Sequence, residues 1–434
     1  MAKLVGKEAI GKISAVFPRN FDPDFRQQMD LPGRVVLNDL TLREGRQIEG
    51  AILRIDEYLR IARQLVDELN FSMIQTGCWT PADYEFVQAL GKLRLKAKVE
   101  VMISEAMVGA SRLLPHSKEA ICEVVDKIAD CGLGVKVNMA CGDDVLLSQA
   151  WRRGEKDKPL DFLKKREIEL TVAVVHHARS LGVSPMSILL QHPFNADIDY
   201  LKAFCAALEN AGVDAICLDD YATGFALPQI YKERCQIAKK AAPKTPLGVH
   251  IHNNFGLATA CSMASVEGGC EIIDGSVNGY GEASGITDLA QMAVIMEFLY
   301  GYDTGLNLEK LYDTCVLIAG IMGQTIPVTA PIVGKNAFSW AHDVKWQFPD
   351  YWYIFNPIRA EVVGNQAKPY FGEWSGPFGA RMRARELGLE LTVEAAADLV
   401  ARIREQVKWT KAPLTDHEFR KLALAVGATV VRSD

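Results

Sequence analysis

Three short stretches hold the residues whose types and spacing could do chemistry. The first is DLTLREGRQ, residues 39–47, which follows the apolar run Val35, Val36, Leu37. It sets Arg43, a guanidinium that keeps its proton, beside Glu44, a carboxylate that can bind a cation. The second is His250, Ile251, His252, Asn253, Asn254. Side chains two apart on a strand point the same way, so His250 and His252 can grip one ion. Glu44 is a natural third ligand. Two imidazoles and a carboxylate suit a divalent metal with positions left open for substrate. The third stretch is NGYGEASG, residues 278–285. Its glycines let backbone amides approach a ligand and hold anionic groups, although a plain turn reads equally well. Neither Arg-Glu-Gly nor His-x-His is decisive alone, because both occur as ordinary surface or packing residues. The argument depends on a fold that brings them together.

Such a fold is legible. From Arg34 a strand-then-helix alternation repeats eight times. The expected strands are Val35–Thr41, Ser72–Gly77, Lys98–Ser104, Gly134–Ala140, Met186–His192, Ala215–Asp220, Leu247–Asn253 and Glu271–Asn278. They are short and rich in Val, Ile and Leu, as buried parallel strands should be. The intervening segments carry apolar residues at helical spacing, for example Leu201, Phe204, Cys205 and Leu208. Gly132, Gly182 and Gly212 mark helix ends just before strands. Eight such units predict an α/β fold, a (β/α)8 TIM barrel, over a doubly wound open sheet as the alternative. Chemistry in that barrel collects at the C-terminal strand ends, and strands one, seven and eight are neighbours. Glu44, His250 and His252 would therefore meet. Gln75, Ser104, Asn138, Gln191 and His192 end other strands of the same face and could orient a substrate. Each is also readable as a satisfied polar group at a strand rim.

The expected organisation is an arm over 1–33, the catalytic barrel over 34–302, and a mainly helical lid and subdomain region over 303–434. Four of the seven tryptophans lie between 340 and 374, which suggests a lid or interface over the barrel mouth. His342 lies within that stretch, readable as a surface histidine or as a catalytic one.

The 434 residues are 49% hydrophobic and 24% charged, with formal charge -6. No basic block stands out, so nucleic acid is not an expected partner. No run is long and apolar enough to suggest a membrane span. The N-terminal stretch does not read as a signal peptide. Ten scattered cysteines with no CxxC pair read as reduced thiols, so a cytoplasmic enzyme is expected.

With these motifs the chain resembles the DRE-TIM metallolyase family. Its members are metal-dependent barrels that make or break carbon–carbon bonds beside a carbonyl. They include the 2-isopropylmalate, homocitrate and citramalate synthases, the hydroxymethylglutaryl-CoA lyases and the 4-hydroxy-2-oxo acid aldolases. PIVGKNAF (331–338), FNPIRAEVVGN (355–365) and GEWSG (372–376) resemble the subdomains of the Claisen-condensing branch. The resemblance implies that Glu44, His250 and His252 bind a divalent metal (Mg²⁺, Mn²⁺ or Zn²⁺). It implies that Arg43 stabilises a developing oxyanion and that His342 assists proton transfer, with His192 as the other candidate base. Gln47, Gln75, Ser104, Asn138, Gln191, Asn278, Gly281 and Glu282 would contact substrate. The implied reaction joins acetyl-CoA, or another acyl-CoA, to a 2-oxo acid and gives a 2-substituted malate plus CoA. A homodimer is implied too. The alternatives are a lyase or aldolase on the same metal, and a non-catalytic barrel that binds acyl-CoA. Three departures from the family pattern point to an unusual substrate: GEASGI in the glycine loop, Gln191 where most synthases carry glutamate, and FSWAHD around His342.

Overall fold

The computed structural model describes residues 17–431 except 79, 104–116, 222, 348–352 and 354–355. Eight strands close in chain order into one barrel: β1 (Val36–Asp39), β2 (Met73–Cys78), β3 (Lys98–Ile103), β4 (Gly134–Ala140), β5 (Met186–Gln191), β6 (Ala215–Asp219), β7 (Leu247–His250) and β8 (Ile272–Gly275). Every ladder is parallel. Closure is made by β1 on β8, from Val36↔Ile272 to Asp39↔Gly275. The expected (β/α)8 barrel is thus the fold, and all eight strands lie where the apolar runs put them. Two ends need correction: β8 stops at Gly275 and gives way to a 3-10 turn over Val277–Gly279. β7 stops at His250, and His252 instead makes an isolated antiparallel bridge with Ile286. The chain leaves the barrel there because the segment after β8 takes over the pairing: Asn253 N donates to Gly285 O at 2.8 Å and Thr287 N to Ile251 O at 3.2 Å.

Strand alternation sorts the side chains into two shells. The outward residues Val135, Val137, Met139, Ile188, Leu190, Ile216 and Leu218 pack with Val174, Phe204 and Tyr231 of the surrounding helices into one apolar layer. The helix Ile198–Ala211 shows how a unit is built. Asp197 caps it by accepting from Tyr200 N at 2.9 Å, and it ends at Gly212 with φ 81°. A cap of this kind contributes about 1 kcal/mol. Leu201, Phe204, Cys205 and Leu208 are buried on its inner face. The helix Ile55–Arg63 continues as a π-turn over Gln64–Glu68.

The inward shell is partly ionic. Lys136 on β4 pairs with Glu100 of β3 at 3.2 Å and with Asp274 of β8 at 3.0 Å, all fully buried. Burial opposes the ammonium charge, but Asp274 and Glu100 outweigh it and raise the Lys136 pKa. A small apolar group of Met102, Leu189 and Cys217 lies among them.

The described residues form two compact units. The first, Phe17–Thr325, contains the barrel, the helix Leu311–Ile321 and the segment before β1. Asp30 N bonds Glu267 O at 2.9 Å, and Tyr302 Oη bonds Pro32 O at 2.7 Å, which fix that segment to the last two units of the barrel. The second covers the described residues from 326 to 431. Its helices Pro377–Glu386, Val393–Thr410 and Asp416–Ala425 enclose a core of Phe371, Leu389, Leu399, Ile403 and Phe419. Of the aromatic stretch, Trp352 lies outside the described residues and Trp374 is exposed. Among the described residues no helix is long and apolar enough to cross a membrane.

Removing the central cation should be costly, because two carboxylates stay buried without it. Lys136→Met is expected to lower stability by about 3–5 kcal/mol, read as a shift of the urea midpoint. A stability within a few tenths of a kcal/mol of wild type would refute a charge-bearing barrel interior.

Candidate functional site

The strand ends at the C-terminal mouth assemble a buried triad. Glu44 opens a short 3-10 turn, Glu44–Gln47, directly after β1. His250 ends β7, and His252 lies two residues on. One ligand atom from each falls within 4.8 Å of the others, and all three residues are buried. His250 Nε2 is 3.7 Å from Glu44 Oε2, and His252 Nε2 is 3.8 Å from Glu44 Oε1. The rings stand nearly perpendicular, with centroids 5.0 Å apart.

The supports behind the triad explain its geometry. Asp220 accepts from His252 Nδ1 at 2.6 Å and from the His252 amide at 3.0 Å. Tyr231 Oη donates to the same carboxylate at 3.1 Å. With Nδ1 so engaged, Nε2 of His252 faces Glu44. Gly281 is glycine for a steric reason: a Cβ there would lie 3.0 Å from Glu44 Cγ and 3.1 Å from Ile286 Cγ2. The next amide, Glu282 N, donates to Glu44 Oε1 at 3.3 Å. The glycine loop thus grips Glu44 by its backbone, while the Glu282 side chain is exposed.

Arg43 is buried. Its Nη1 contacts Glu44 Oε2 and lies 3.3 Å from His250 Nε2. Burial holds the His250 pKa well below its ordinary value, helped by the charges of Arg43 and His252, so the ring stays neutral. For His252 burial again opposes the charged ring, but the hydrogen bond and charge of Asp220 prevail and its pKa is raised. Burial pushes the carboxyls of Asp39 and Asp219 up to about 7.

A neutral imidazole, a carboxylate-backed imidazole and a buried carboxylate form a donor set that fits a divalent cation. Asp219, Asp220 and His252 also lie close enough to form a second group. There the short Asp220–His252 hydrogen bond makes Asp220 a support for the ring.

The other expected residues are placed as follows. Gln191 ends β5 and is buried, and Asn138 on β4 is half-buried, with its Oδ1 unpartnered. Gln75 is buried, and its amide lies 3.5 Å from Glu100. His192 has φ 60°, is buried, and bonds Asp144 through Nδ1 at 2.7 Å. It lines a cavity of about 150 Å³ with Phe194, Asp220, Phe225 and Tyr231. Asn278 has φ 63° and donates to Cys315 O at 3.0 Å. Gln47 is exposed. Ser104 lies outside the described residues. His342 belongs to the second unit, is exposed, and its ring is 5.9 Å from that of Trp374. The structure therefore gathers Arg43, Glu44, His250, His252 and the Gly281–Glu282 backbone. Asp220, Asp274 and Lys136 were not among the candidate site residues drawn from the sequence. A charged residue inside an otherwise apolar strand was the available signal.

Residues 157–318 match the family model described as HMGL-like, and the chain belongs to that family. It is 30% identical over 376 residues to the protein named "Probable 2-isopropylmalate synthase" of Archaeoglobus fulgidus, covering 85% of this chain and 68% of that one. It is 26% identical over 396 residues to the homocitrate synthase AksA of Methanothermobacter thermautotrophicus, covering 90% and 93%. Its fold is similar to hydroxymethylglutaryl-CoA lyase from Pseudomonas aeruginosa, with TM-score 0.55 and 18% identity, covering 69% of this chain and 96% of the lyase.

Asp220→Asn is expected to weaken Mn²⁺ binding by about 10–100-fold with the fold retained. Binding should also weaken on acidification as His252 takes up a proton. Because Asp220 raises the His252 pKa, the acid loss should move to lower pH in the variant. Mn²⁺ titrations across a pH series would check both, and an unmoved pH profile would contradict the role given to Asp220.

Proposed function

We propose that the protein is a divalent-metal-dependent synthase. It condenses acetyl-CoA, or another acyl-CoA, with a 2-oxo acid to give a 2-substituted malate and free CoA. The observation that carries this reading is the buried Glu44–His250–His252 triad with the Arg43 guanidinium beside it. The synthase direction is supported by the sequence relatives: alignments with the 2-isopropylmalate synthase and homocitrate synthase relatives span 85% and 90% of this chain. The two named synthases make different products, so the comparison leaves the oxo acid open.

Glu44, His250 and His252 would hold a divalent cation, which would supply Lewis-acid polarisation of the 2-oxo acid. Mg²⁺, Mn²⁺ and Zn²⁺ all fit the chemistry of the donor set. Arg43 holds a fixed positive charge where the keto oxygen becomes an alkoxide, and its buried setting keeps water from screening it. A base then takes a proton from the acyl methyl, and the resulting carbanion attacks the keto carbon. Water cleaves the thioester, releasing CoA as the thiol. His192 and His342 are the candidate bases. The Asp144 contact at Nδ1 supports His192, because it leaves Nε2 to accept the proton. Asn138 and Gln191 share the inward register with Lys136 and suit hydrogen bonds to the oxo acid.

The reading is tested by thiol release from acetyl-CoA with Mg²⁺ or Mn²⁺ and a panel of 2-oxo acids from glyoxylate to 2-oxoglutarate. Release that depends on one oxo acid and stops with chelator is the expected result. No release, with cleavage of a hydroxyacyl-CoA thioester instead, would replace the synthase reading by a lyase. In the active protein, Arg43→Ala should lower kcat by about 10²–10³-fold with metal still bound. Near-normal turnover would remove Arg43 from the oxyanion role.

A further inference from the structure

His252 is backed by a carboxylate at Nδ1, whereas His250 has no hydrogen-bond partner there although the ring is 1% exposed. Leaving such a buried polar atom unmet is unfavourable. Arg43 settles which nitrogen carries the proton. A guanidinium only donates, and its Nη1 lies 3.3 Å from His250 Nε2, so that nitrogen accepts. The proton is then on Nδ1. The carboxylate facing it is Asp274, whose Oδ2 lies 3.9 Å away, an ion-pair distance and not a hydrogen bond. The two residues are register partners on β7 and β8, so the barrel itself sets their separation.

Asp274 is firmly held. Asn38 Nδ2 donates to its Oδ1 at 2.8 Å, Lys136 Nζ to its Oδ2 at 3.0 Å, and Cys217 Sγ to its Oδ2 at 3.5 Å. On its other side Lys136 meets Glu100, which takes the hydroxyl of Ser187 at 2.5 Å. Barrels of this type are ordinarily filled by branched aliphatic layers. Ions buried in such a place contribute little to stability compared with apolar residues of the same volume. A layer kept at that cost, with one carboxylate in register beside a candidate ligand, points to a role in the site.

We propose that Asp274, fixed by Lys136 and Asn38, is the positioning residue of His250. It accepts from Nδ1–H, the proton staying on the ring, and so keeps the Nε2 lone pair, which faces Arg43 in this structure, for a divalent cation shared with Glu44 and His252. Both histidines of the triad then have a carboxylate behind them: Asp220 from the end of β6, and Asp274 from inside the barrel. The inference rests on the metal reading of the triad and not on the identity of the substrates.

The test uses the full chain, stripped with chelator and titrated with Co²⁺ by calorimetry and visible absorption. Asp274→Asn should weaken Co²⁺ binding by about 10–100-fold and alter the Co²⁺ spectrum. Glu100→Gln perturbs the same ionic layer on the side of Lys136 away from His250, and should leave Co²⁺ affinity within about threefold of wild type. Unchanged affinity in Asp274→Asn overturns the proposal. So does equal weakening in both variants, which would make the layer a structural support alone. Should Asp274→Asn fail to fold, the wild type still decides. In ¹⁵N-histidine-labelled, Zn²⁺-loaded protein, His250 must carry its proton on Nδ1, and a proton on Nε2 overturns the proposal. A wild type that binds no Co²⁺ would sink the metal reading and this inference together. Failure of thiol release with Co²⁺ bound normally would bear on the reaction and leave Asp274 in place.

Discussion

The pairing of β1 with β8 is the constraint on which the rest of the molecule depends. Glu44 follows the first strand and His250 ends the seventh, so the chain places them far apart. Four register pairs, Val36↔Ile272 through Asp39↔Gly275, bring the first and last strands together. The next ladder, His250↔Asp274, then places the seventh strand beside the closed seam. Consecutive parallel strands need a crossover between them, and here the helices supply those crossovers while covering the outer apolar shell. The triad is thus a product of closure: an open sheet of the same strands would leave its two ends apart.

Closure also creates the electrostatic setting. Inside the barrel, Lys136 spans from β4 to β8 and meets carboxylates on both sides. At the mouth, Arg43 lies against Glu44 and His250. Each fixed cation therefore has anionic partners in a dry environment, where charge interactions are far stronger than in water. The neutral state of His250 and the raised pKa of His252 follow from the same arrangement. Burial keeps His250 neutral, with the Arg43 charge adding to it, while at His252 the bond to Asp220 overcomes burial.

The legible and illegible parts of this architecture divide along physical lines. The eight strands were readable because runs of Val, Ile and Leu bounded by turn residues report burial on both faces. The triad was readable because carboxylate and imidazole chemistry is rare at strand ends and the barrel order makes those ends neighbours. The end of β7 was not, since the bridge from His252 to Ile286 comes from a segment whose path no local pattern announces. Nor was the ionic layer. Lys136 and Asp274 are 138 positions apart, and a single charge in a short strand does not reveal its partner. Gln75 shows the converse. Its position suggested a rim group, and its amide instead reaches the interior carboxylate Glu100.

The grip of the glycine loop on Glu44 has a consequence for how such a site can diversify. The contacts run through the missing side chain of Gly281 and the amide of Glu282, while the side chains of Glu282, Ala283 and Ser284 face outward. Support of the carboxylate and the chemical character of the loop surface are thereby separate variables. Exchange at residues 282 and 284 leaves the contacts that hold Glu44 in place, whereas the charge of Glu282 still acts on Arg43 and the left-handed backbone of Ala283, φ 53°, narrows the choice there.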